Sequence, residues 1–177
     1  MNRKILGSWV FFGLLSSSLA LAADKAAMIA SAESAAPVDV TANATIKAPD
    51  GTVLRQGSNG FTCYPQQAMT GPMCNEAEWE KLMAAMMSKQ DYQPSRFSIS
   101  YMLAGEGTAK GVSNIDPYAT EPTADNAWIK EGPHMMVILP DHSMLEGIST
   151  NTQDPIYVMW KGTPYAHVMI KIASEKE

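Results

Sequence analysis

The chain has 177 residues, 13 basic against 18 acidic side chains and a formal charge of −5. That balance lacks the basic footprint that nucleic acid or an anionic membrane surface requires, so neither is expected as a partner. Beyond the N-terminus no apolar run reaches the roughly 18 residues of a bilayer span, so no membrane span is expected.

The chain opens with Arg3 and Lys4, an apolar run from Ile5 to Leu15, three serines and Ala20-Leu21-Ala22. Positive charge, short apolar core and small residues at a cleavage site describe a secretory signal over residues 1–22, and so a periplasmic or secreted protein in an oxidising compartment. Cleavage there leaves 155 residues (177 − 22) and 11 basic against 18 acidic groups, a charge of −7. That length suits one compact domain. The residue directly after the cleavage site is Ala23 and not cysteine, so no lipid anchor is expected. Residues 23–37 are rich in Ala and Ser with little to bury, and are expected to be a flexible N-terminal segment. The globular domain is placed at 38–173.

Ala44–Lys47 and Thr52–Arg55 flank Asp50-Gly51, which predicts a hairpin. Ser58-Asn59-Gly60 is a second turn, leading into a strand at Phe61–Tyr64. Cys63 and Cys74 are the only cysteines and are expected to form a disulfide, worth about 3 kcal/mol for so short a loop. From Glu76 to Ser88 a helix is predicted, with Asn75 as N-cap and Glu78 completing a capping box. Trp79, Leu82, Met83 and Met86 give that helix one apolar stripe.

Phe97–Leu103 alternates, with Phe97, Ile99, Tyr101 and Leu103 on one strand face and Ser98 and Ser100 on the other. From Gly105 to Gly132 the chain is polar and rich in Gly and Pro, a connection long enough to be functional or mobile, tacked down by Trp128 and Ile129. Met135–Leu139 is an unbroken apolar run, as in a central strand covered on both faces. Asp141 is placed as the cap of a short helical turn through Leu145, closed by Gly147. Ile156–Trp160 and Tyr165–Ile172 are strands joined by a short loop. Together these predict an α+β fold: an antiparallel sheet with one main helix packed on a face, stapled by one disulfide.

Signature catalytic motifs are missing: there is no Gly-x-Ser-x-Gly, His-Glu-x-x-His, phosphate-binding Gly-rich loop or Cys-x-x-Cys. Attention falls on the last hairpin. A three-residue loop there puts Tyr157 opposite His167 and Met159 opposite Tyr165, with Met169 on the same face, while Ile156, Val158, Ala166, Val168, Ile170 and Ile172 make the other face pure hydrocarbon. A different loop length would change these pairs. The mixed face reads plainly as a Met-padded packed interior. As a site, Tyr157, Met159, Tyr165 and His167, with His134, form the candidate ligand-binding set, joined by Trp160 or Trp128. As a metal site, His134 and His167 with Met169, or with Met136 or Met159, offer imidazole and thioether to copper or zinc. Met83, Met86 and Met87 read as helix face rather than as a chelating cluster. A hydrolase would need His134 or His167 as base, Asp116 or Asp141 as orienter and Ser98 or Ser100 as nucleophile, and no spacing draws these together.

Ser58-Asn59-Gly60-Phe61-Thr62-Cys63, Pro72-Met73-Cys74, Tyr101-Met102-Leu103, Asp116-Pro117-Tyr118-Ala119-Thr120-Glu121-Pro122, Gly132-Pro133-His134-Met135, Tyr157-Val158-Met159-Trp160 and Gly162-Thr163-Pro164-Tyr165-Ala166-His167 span most of the domain. In these phrases the chain resembles short exported bacterial proteins of proteobacterial type and unknown function. The resemblance implies an exported domain and brings no activity, ligand or catalytic residue with it. The expectation is a non-enzymatic module that binds a small molecule or an envelope protein, with no cofactor unless copper or zinc; a metal-binding protein and a hydrolase are the alternatives.

Overall fold

The structure, a computed structural model, describes residues 15–172. Residues 1–14 of the predicted signal segment and residue 173 of the predicted domain lie outside the described residues. Helix α1 (Leu15–Glu33) and the single turn α2 (Val38–Thr41) precede strands β1 (Thr45–Lys47), β2 (Val53–Arg55), β3 (Phe61–Tyr64) and β4 (Met73–Glu76). Helix α3 (Ala77–Met87) follows, then β5 (Ser98–Met102), β6 (Val112–Ser113), β7 (Trp128–Ile129) and β8 (His134–Ile138). A 3-10 turn (His142–Leu145), β9 (Ile156–Met159) and β10 (His167–Lys171) complete the chain. No helix among the described residues is long and apolar enough to cross a membrane.

Eight strands form one sheet in the order β2-β1-β3-β4-β5-β8-β10-β9, and β6 and β7 pair separately. Every pairing in the large sheet is antiparallel except β1 with β3, which is parallel. The fold is therefore α+β with a mixed sheet. Local chemistry accounts for its turns. Gly51 adopts φ +87°, a left-handed conformation that favours glycine, and the Asp50 carboxylate accepts from Thr52 N–H at 2.9 Å. Asp141 caps the 3-10 turn by accepting from Ser143 N–H at 2.8 Å. Cys63 and Cys74 are bonded and sit directly opposite each other on β3 and β4. The apolar run 135–138 lies in β8, between β5 and β10, with core on both faces.

Three local expectations are corrected. Asn75 is not the cap of α3. It belongs to β4, where its amide donates to Glu80 at 2.8 Å and accepts from Ser100 Oγ at 2.5 Å, and the cap position is taken by Glu76 without a side-chain bond. Glu78 is buried and binds the 92–95 segment, accepting from Ser95 N–H at 3.1 Å and Tyr92 O–H at 3.0 Å. Burial acts to raise its pKa, but the bonds from Lys81, Ser95 and Tyr92 outweigh burial and hold the pKa at about 2. On β5 the faces are reversed: Ser98, Ser100 and Met102 are buried under α3, while Phe97 is 56 % exposed. Ile99 and Tyr101 half-bury against the opposite layer.

The third correction concerns the segment expected to be a flexible lead-in. It is helical through Glu33, and Ala32 and Ala35 are fully buried against Ile46, Cys63 and Cys74. Small side chains let the helix end approach the sheet closely, which a search for large apolar residues overlooks. Ser31 Oγ accepts from Gln66 N–H, Ala35 C=O accepts from Leu103 N–H, and Glu33 pairs with Arg55. One face of the sheet thus carries α3, and the other carries the end of α1 and the 3-10 turn. Ala32→Leu forces three carbons into this contact and is expected to lower stability by about 1–3 kcal/mol in urea unfolding. A neutral result would show that α1 does not dock.

A candidate functional site lined by methionine

Between α3 and the sheet lies a cavity of about 710 Å3, and nine of the thirteen methionines line it. Its floor is the inner face of four strands. In that face Met136 on β8 stands directly opposite Met169 on β10, Met102 on β5 opposite His134 on β8, and Met159 on β9 opposite His167 on β10. All six are buried. Trp79 and the half-buried Met83 and Met86 come from α3. The long 105–132 connection forms the remaining wall, contributing Glu106, Val112, Tyr118 and Ile129.

That connection is anchored by aromatic tips. Trp160 Nε1–H donates to Ser113 C=O at 2.8 Å and Trp160 N–H donates to Asn114 C=O at 2.9 Å. Trp128 Nε1–H donates to Lys110 C=O at 2.9 Å. The hydroxyls of Tyr118 and Tyr165 meet at 2.8 Å. Trp160 holds φ +54°, sparsely populated for an aromatic residue, so these bonds maintain a strained backbone at the edge of the cavity.

Both histidines on the floor have the same local arrangement. His134 Nδ1 lies 2.7 Å from Gly132 C=O, and His167 Nδ1 lies 2.9 Å from Tyr165 C=O. A carbonyl only accepts, so each Nδ1 carries the proton and each Nε2 is left with its lone pair. His167 Nε2 is buried and has no hydrogen-bond partner among the described residues. Burial lowers the pKa of His134; for His167, burial and then the electrostatic effect of His134 outweigh the bond to Tyr165 and bring it down to about 4. His167 is therefore neutral at pH 7. The rings of Trp79 and Trp160 stand nearly perpendicular to it, at 5.0 and 5.1 Å between centroids.

The sequence-predicted residues divide. Met159, His167, His134 and Met169 line the cavity, whereas Tyr157 and Tyr165 do not. Tyr157 is fully buried and donates to Glu131 Oε1 at 2.8 Å, and Tyr165 donates to Gln90 C=O at 2.8 Å. The hairpin register is displaced by two residues from the expected one, with His167 opposite Met159 and Met169 opposite Tyr157. An even displacement keeps every residue on its expected face. His134 and His167 are on one wall but not adjacent: His134 faces Lys171, four residues, or about 13 Å, along β10 from His167. Neither imidazole bonds a hydroxyl or carboxylate among the described residues. Asp141 is a cap, Asp116 accepts from Tyr118 N–H, Ser100 bonds Asn75, and Ser98 Oγ is buried without a partner. Met136, named with Met159 as an alternative thioether donor, also lines the cavity, whereas Trp79, Met102 and Glu106 were not singled out as site residues by the sequence; for Met102 the signal was its place on a strand two residues from Ser100.

No family model, curated protein or solved structure matches the chain.

Glu106 is the buried acid of the wall. It accepts from Gly71 N–H at 2.6 Å, in a crossing so tight that a Cβ on Gly71 would lie 2.0 Å from Gly105 C=O. Burial pushes its pKa up to about 7, with Gly71 and Lys130 opposing and Glu131 adding. A raised carboxyl pKa stabilises the fold below about 4.5 and loses that contribution as pH climbs through 7. Glu106→Gln keeps the acceptor for Gly71 and removes the titration. In thermal melts the variant is expected to gain on wild type by on the order of 1–3 kcal/mol between pH 4.5 and pH 8. A gap independent of pH would refute the assignment.

Proposed function

We propose that the chain is an exported, non-enzymatic binding protein that holds a small, largely apolar or soft ligand in the cavity beneath α3. Export rests on the signal-like residues 1–22, on the Cys63–Cys74 disulfide and on the likeness to exported bacterial proteins. The observation that carries the binding reading is the cavity itself. A concave, mostly apolar space with a few polar tips is the general form of a small-molecule site, and unbranched thioethers adapt their shape to what enters. Nε2 of His167 and Nε1–H of Trp79, neither with a partner among the described residues, give it one acceptor and one donor for orienting a guest.

Titration with the fluorescent apolar probe N-phenyl-1-naphthylamine is expected to show saturable binding. Met83→Trp, which fills the half-buried wall from α3, should weaken binding about tenfold or more while stability changes by only about 1 kcal/mol. Wild-type protein that takes up no probe, or a filled variant that binds it equally well, would contradict this function.

A further inference from the structure

We propose that the floor of the cavity binds one copper(I) ion through Nε2 of His167 and the thioether sulfurs of Met136 and Met169. This names the ligand class and rests on the cavity being the binding site.

Three observations converge. The first is reach. Met136 and Met169 are directly paired across β8 and β10, which sets their Cβ atoms about 5 Å apart. His167 lies two residues from Met169 on the same strand face, about 7 Å away. Two thioether arms with three rotatable bonds each, and one imidazole, can close on a common point across those spacings. The second is the state of the imidazole. Its Nδ1–H is committed to Tyr165 C=O, which fixes the ring and leaves Nε2 buried with a bare lone pair on a residue that lines the cavity. A backbone carbonyl on the far nitrogen is the usual support of a metal-binding histidine.

The third is the composition of the wall. Nine methionines line it beside two branched aliphatics, Val112 and Ile129. Apolarity alone gives no reason to choose sulfur so consistently. The thioethers also run from the surface inward: Met87 is 80 % exposed at the rim, Met83 and Met86 are half-buried, and Met136 and Met169 are buried on the floor. They therefore line an entry path of soft donors. No three His, Cys, Asp or Glu side chains are grouped to hold a metal among the described residues, so the donor set is sulfur with one nitrogen. Neutral, soft donors select copper(I) over zinc(II), calcium or magnesium. The rings of Trp79 and Trp160 flank the same imidazole and would report an arriving ion.

The test is an anaerobic titration of the purified chain with tetrakis(acetonitrile)copper(I), with bicinchoninate as competing chelator. Wild type should withdraw one equivalent of copper from the chelator and quench tryptophan fluorescence, and zinc(II) at equal concentration should do neither. The double variant Met136→Leu/Met169→Leu conserves volume and keeps the fold. It should bind copper(I) about 100-fold more weakly while still taking up N-phenyl-1-naphthylamine. Met144→Leu, at an exposed methionine away from the cavity, should bind as wild type does. Probe uptake without copper binding, equal copper affinity in the double variant, or zinc binding as tight as copper would each overturn the metal site and leave the cavity reading intact. Failure of both copper and probe would remove both.

Discussion

The pairing of β8 with β10, Met136 against Met169, is the constraint on which the rest of the structure depends. It joins two interior strands of the sheet and decides which side chains look toward α3. With this register one face presents His134, Met136, His167 and Met169, and the other presents Val137 and Val168 against Val158, Ala166 and Leu145. A slip of one residue would exchange the two sets, burying hydrocarbon under α3 and turning the imidazoles toward the 3-10 turn. The valine layer opposes that slip because it is closely packed, with Val158 fully buried. Hydrocarbon packing on one face thus holds the chemistry on the other.

Features that cost stability gather around the cavity. A buried acceptor without a partner costs about 1–3 kcal/mol, and His167 Nε2 is one. Glu106 is held where its charge is disfavoured, and Trp160 is held in a left-handed backbone conformation. Elsewhere local choices agree with the fold: Asp50-Gly51 turns, Asp141 caps, and Glu78 satisfies the 92–95 segment. Several such costs meeting around one space are what a binding site is expected to show. Here they share a single space with two indoles and a run of thioethers.

Much of the architecture was legible in the residues, and the parts that were not share a cause. Turns, the disulfide, the covered strand β8 and the face partition of the last hairpin depend on neighbours in sequence or on period-two alternation, so they could be read directly. The partition survived a wrong loop length because the error was even. What depended on tertiary partners was missed. Ser98 and Ser100 point inward because Asn75 on the neighbouring strand accepts the Ser100 hydroxyl and α3 covers that face. Ala32 and Ala35 are buried because the helix backbone comes close, not because their side chains are large. Glu78 looked like a cap residue because spacing cannot show the 92–95 segment that it binds. The candidate site was half visible for the same reason. Methionines on the helix face and on β5 read as ordinary core until the sheet order brought them over the histidines.

The account turns on an imidazole that is neutral, fixed in one tautomer and open at Nε2. Long-range 1H–15N correlation of the histidine rings across a pH series measures this directly. His167 should show a protonated Nδ1 and an unprotonated Nε2 at pH 7, unchanged until the pH nears 4. A proton on Nε2 at pH 7, or an ordinary titration near 6.5, would contradict it.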